Sequence, residues 1–133
     1  MRTTVRWLIA ASVATVPITL THAVEDFSVG IHERFHLPVL LAAFFVSLAY
    51  AAQVLAAALA AQERRLGYWL NLGLALAWLV GAAADHLGEV VFVSPYRHGL
   101  LSKALEVAIM LGAALWAGLA ISALHASGRK QPM

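Results

Sequence analysis

His22 and Glu25 stand three residues apart, and His86 and Glu89 repeat that spacing. On a helix, side chains three apart share a face, and Asp85 and Glu89, four apart, align in the same way. Imidazole and carboxylate so placed can hold a divalent transition metal. The donor set suits zinc, iron, nickel or copper better than calcium or magnesium. Each pair opens a polar stretch, HAVEDFSVGIHERFH and HLGEVVFVSPYRH, that closes on an arginine and a histidine. These are Arg34 and His36 in the first stretch, and Arg97 and His98 in the second. The candidate ligand set is therefore His22, Glu25, His36, Asp85, His86, Glu89 and His98. Metal-binding bundles of the di-iron type use Glu-x-x-His, the reverse of the order here. The plainer alternative is that each pair caps a helix end at a membrane interface, where polar residues cost little.

Four apolar segments must position these residues. Of 133 residues, 62% are hydrophobic and only 12% charged, and the mean hydropathy is +0.79. A soluble domain of this length needs more polar surface than that. The segments run over about 7–24, 37–61, 66–84 and 99–126. A spanning helix needs about 20 apolar residues, and hydrocarbon cannot satisfy the open edge of a strand. The expected fold is all-α, an integral membrane four-helix bundle running up-down-up-down, with residues 1–133 as one transmembrane domain. The first segment also reads as a signal peptide, with a basic start and small residues before Val24. Its likeness to the third segment favours a retained helix: Trp7-Leu8 and Trp69-Leu70 open them, and His-x-x-Glu closes both. That echo suggests two related helical hairpins.

Arginine and lysine orient the chain. Arg2, Arg6, Arg64, Arg65, Arg129 and Lys130 fall on one side of the bundle, and Arg34, Arg97 and Lys103 on the other. This asymmetry places both termini in the cytoplasm of a cell inner or plasma membrane. The outer end then carries Glu25, Asp26, Glu33, Asp85, Glu89 and Glu106 with His22, His32, His36, His86 and His98, while Glu63 and His125 stay inside. Within that end, His32 and Glu33 read as solvated loop residues. Lys103 and Glu106 read as an interfacial ion pair, the alternative being a Glu106 that turns inward to complete the acidic cluster. Gln53 and Asn71, in mid-span, read as ties between helices. Trp7, Tyr68 and Trp69 suit the cytoplasmic aromatic belt and Tyr96 the outer one, with Trp78 and Trp116 packed inside.

The chain has no cysteine, which excludes disulfides, thiolate metal sites and cysteine nucleophiles. No basic cluster is dense enough for nucleic acid, and no phosphate loop, nucleophile elbow or zinc-protease motif occurs. The leading reading is divalent-metal binding or uptake at the outer cluster, weakening as pH falls and the ligands protonate. Uptake by so few helices requires a homo-oligomer or a larger membrane complex. A second reading is a membrane enzyme using histidine and carboxylate as acid and base on a lipid-like substrate, or a haem or quinone protein. Haem is the lesser choice, because neither histidine lies well inside its span. A third is a non-catalytic accessory subunit.

Overall fold

The structure is a computed structural model that describes residues 1–93 and 99–128, with Arg34 described by its backbone alone. Its elements are α1 (Thr3–Ser28), α2 (Ile31–Arg34), α3 (Val39–Ala61), α4 (Arg65–Phe92) and α5 (Leu100–Gly128). The four long helices are each apolar and long enough to cross a membrane, so this is an all-α membrane bundle. Leucine and alanine dominate them, and both extend a helix at little entropic cost. Pro17 lies inside α1, where the Thr21 hydroxyl donates to the Pro17 carbonyl at 2.8 Å. This bond is to the proline's own carbonyl; the carbonyl that loses its donor is that of Val13, four residues earlier.

Two helices run further than hydropathy suggests. α1 continues to Ser28 and α4 to Phe92, past the first charges, so that Glu25, Asp26, Asp85 and Glu89 stand on helical turns. A helix stops where its backbone can no longer continue, not where it becomes polar. Gly30, at φ +76°, provides that stop after α1, in the left-handed region glycine tolerates. At the other end, Glu63 (φ +55°) turns the chain between α3 and α4. Arg2 holds it there, donating its backbone N–H to Oε1 at 3.0 Å and its Nε–H to Oε2 at 3.2 Å.

Around the bundle the order is α1, α3, α4, α5, with α5 closing back on α1. Paired residues fix the antiparallel sense. On α1 and α3, Gln53 donates to the Ser12 carbonyl at 2.6 Å, and Tyr50 donates to Thr19 Oγ1 at 3.1 Å. On α4 and α5, the Trp116 indole donates to Asn71 Oδ1 at 2.9 Å. Each hairpin thus carries a buried mid-span tie, a role that suits Gln53 and Asn71. Small residues let the backbones meet: a Cβ on Gly67 would lie 2.4 Å from the Ala60 nitrogen. Tyr68 is completely buried and joins the core instead of the aromatic belt, while Trp7 and Trp69 stay exposed.

The main apolar core, including Val5, Leu8, Tyr68, Ala75, Trp116 and Ala120, fills the half of the bundle that holds the chain start and the α3–α4 turn. The opposite half is built differently. α3 buries only Gln53, Ala56 and Ala60, all in its second half. Its first half buries no residue, although Tyr50 still reaches Thr19 and Trp78.

Candidate metal centre

The half of the bundle opposite the main apolar core holds the titratable cluster. The ends of α1 and α4 and the start of α5 meet there because the hairpins are antiparallel. His22 is 5% exposed, His86 2% and Glu106 not at all. The two imidazoles meet edge to face, with ring centroids 4.9 Å apart and planes at 89°.

Two carboxylates bracket this pair. Asp26 Oδ2 lies 3.0 Å from His22 Nε2 and 3.8 Å from His86 Nε2. Glu106 Oε1 lies 3.2 Å from His22 Nδ1 and 3.5 Å from His86 Nδ1. Asp85 Oδ2 is 3.3 Å from His86 Nε2, and Glu89 Oε2 is 3.6 Å from His86 Nδ1. Both ring nitrogens of each histidine therefore face an acid. A neutral imidazole donates through one nitrogen only; the other carries a lone pair. The lone-pair nitrogen of each ring is a possible ligand atom for a metal ion.

The Nε2 atoms of both rings face Asp26. One donor atom each from His22, Asp26 and His86 lie within 4.8 Å of one another. Ligands at about 2.1 Å in a tetrahedral zinc site are about 3.4 Å apart, so slight side-chain adjustment closes the set. The Nδ1 side faces Glu106 at both rings and Glu89 at His86. A buried carboxylate that accepts from the far nitrogen of a metal-binding histidine fixes its tautomer and raises its basicity. Glu106 lies close to both Nδ1 atoms, although His22 Nδ1 makes no hydrogen bond.

Of the residues expected from the sequence, His22, His86, Asp85 and Glu89 come together at this end. Glu25 points elsewhere: its Oε1 accepts from the Ser102 hydroxyl on α5. His36 is exposed at the end of α2 with φ +54°, outside the close donor group. His98 lies outside the described residues. Asp26 and Glu106 take places that sequence reasoning gave to others. The signal for Asp26 was its spacing four from His22, masked by the more visible echo of the two His-x-x-Glu pairs. Glu106 turns inward, in place of the expected interfacial pair with Lys103, because α5 packs on both α1 and α4 at this level. His32, expected in solvent, lies on α2 with its ring stacked against Phe27 at 6.1 Å.

Beside the cluster lies a cavity of about 370 Å³. His22, Asp26, Asp85 and His86 form its polar end, Ile31 and His32 of α2 and the following Phe35 line it, and α3 and α4 supply apolar walls.

Fold and site define a class: an integral membrane protein of four helices with a buried histidine–carboxylate cluster at one end. The chain matches no protein-family model, no curated protein and no solved structure.

Proposed function

We propose that the protein binds a divalent transition metal through His22 Nε2, His86 Nε2 and an Asp26 oxygen, with Glu106 orienting both rings. The observation that carries this is the convergence of three donors from two helices within 4.8 Å, with both histidines buried. Asp85, next to His86 Nε2, is placed to add a further oxygen. Zinc, iron, nickel and copper all accept such a set, which leaves coordination positions for water or a ligand.

The bracketed geometry weighs against haem. Two rings in edge contact at 4.9 Å leave no room for a porphyrin plane between them. It also weighs toward capture at one end over passage through the chain. Gln53 and Asn71, the polar groups deepest in the spans, are engaged in ties between helices. Metal uptake would then require a second copy or a partner chain. The charge asymmetry orients the metal-binding end away from the cytoplasm.

Elemental analysis of protein purified in mild detergent without chelator tests the proposal, alongside a His22→Ala/His86→Ala double variant. Near-stoichiometric metal in the parent, lost in the variant, is expected. No metal in the parent after loading with zinc, iron, nickel and copper would overturn it.

A further inference from the structure

The cavity beside the cluster has a cause in the sequence. α4 carries Ala77, Gly81 and Ala82 along this wall, α3 contributes Ala42 opposite, and the first half of α3 buries no residue. A Cβ on Gly81 would meet nothing within 4 Å, so that wall is unfilled. Phe45, Ala77 and Gly81 are exposed as well as cavity-lining. The mouth therefore opens between α3 and α4, the direction of the hydrocarbon in a membrane.

Its chemistry is asymmetric. One end is apolar and the other is the histidine–carboxylate cluster. Along its lining, His32 Nδ1 is buried without a hydrogen-bond partner, and buried polar atoms are rarely left so. At about 370 Å³ the cavity is at the small end of ligand pockets, which run from about 300 to 1,000 Å³. A single chain or ring fits that space, and a two-chain lipid does not. Asp26 and Asp85 at the polar end repel an anionic head, and a cationic head would compete with the metal for the same carboxylates.

We infer that this cavity binds a neutral amphiphile entering from the bilayer: an apolar chain or ring with one hydroxyl or carbonyl oxygen, that oxygen lying toward His22, His86 and His32. The inference deepens the metal reading and rests on it only for the headgroup's partner. An open metal position accepts a neutral oxygen directly, and the His32 nitrogen gains a hydrogen-bonding neighbour.

The test uses the whole chain in lipid nanodiscs with a photoactivatable analogue of decanol, labelled residues being mapped by mass spectrometry. Labels are expected on cavity residues such as Phe45, Ala77 and Trp78. Competition is expected from decanol and a decyl-benzoquinone, their relative strengths separating alcohol from quinone, and not from decanoate. Gly81→Leu fills the wall and should cut cavity labelling about tenfold, the equivalent of about 1.4 kcal/mol, with metal content unchanged. Ala42→Leu serves as a second filling variant should the first fold poorly. Labels scattered over the lipid-facing surface, or insensitive to both filling variants and to competitors, would overturn the inference even where metal loads normally. Cavity labelling that is competed and lost on filling, in protein that takes up no metal, would sustain this site and sink the metal reading alone.

Discussion

At the scale of single residues, the cluster divides carboxylates by role, and neighbouring positions differ sharply. Asp26 faces the Nε2 atoms of both histidines, whereas Glu25, one residue earlier, accepts a hydrogen bond from Ser102. Asp26→Asn should therefore weaken metal binding by about a hundredfold or more, beyond the 10–100-fold typical of a lost supporting carboxylate. Glu25→Gln should change it little. Titration of chelator-treated protein with zinc measures both, and equal losses would mean that the two carboxylates have been assigned wrongly. The sequence showed which residue types gather at this end but not which carboxylates face inward. That choice depends on the rotation of each helix about its axis, set by packing on neighbours far away in the chain. Glu106 illustrates this: it is three residues from Lys103 in sequence, and only the seating of α5 between α1 and α4 aims it at the two imidazoles.

At the scale of the elements, apolar runs longer than about 20 residues leave little freedom, and all four spanning helices were legible from them. Their ends were not. Hydropathy stops at the first charge, while α1 and α4 continue for further turns and carry the site on those turns. The tight turn between α3 and α4 was visible only as a short polar link. Gly67 makes it possible, with the Ala60 backbone where a side chain would begin. Gly67→Ala should destabilise the protein by roughly 1–3 kcal/mol, as overpacking does. Gly73→Ala, in open space on the same helix, should be neutral or slightly stabilising through helix propensity. Unfolding in a detergent titration distinguishes them, and a Gly67 variant as stable as the parent would show that α3 and α4 do not approach so closely.

At the scale of the whole molecule, the bundle is tight at one end and open at the other. The tight end is latched where Arg2 meets Glu63. Hydrogen bonds from the Arg2 backbone and side chain hold the Glu63 carboxyl below its ordinary value of 4.5. A depressed carboxylate stabilises the fold above its unfolded pKa, and that contribution is lost as pH falls through the folded value. Hydrogen exchange at the start of α1 should accordingly rise in Glu63→Gln at neutral pH. Parent and variant should converge once Glu63 is protonated, and a difference that persisted there would place the effect elsewhere. The open end is proposed to face away from the cytoplasm. Because the chain has no cysteine, single cysteines at Val29 and Gln62 can report on this without background. A membrane-impermeant thiol reagent should label Val29→Cys in intact cells and spare Gln62→Cys; the opposite pattern would invert the orientation. The two mid-span ties differ in residue type and in the helix that supplies the amide, so they do not repeat one another, and it was the echo of the two His-x-x-Glu pairs that drew attention from Asp26.

The central claim is one metal ion shared by α1 and α4, and X-ray absorption spectroscopy of zinc-loaded protein tests it most directly. The account predicts two imidazole nitrogens and carboxylate oxygen at about 2.0–2.2 Å, with both imidazole signals lost together in His22→Ala/His86→Ala. A shell of oxygen alone, or one unchanged in that variant, would contradict it.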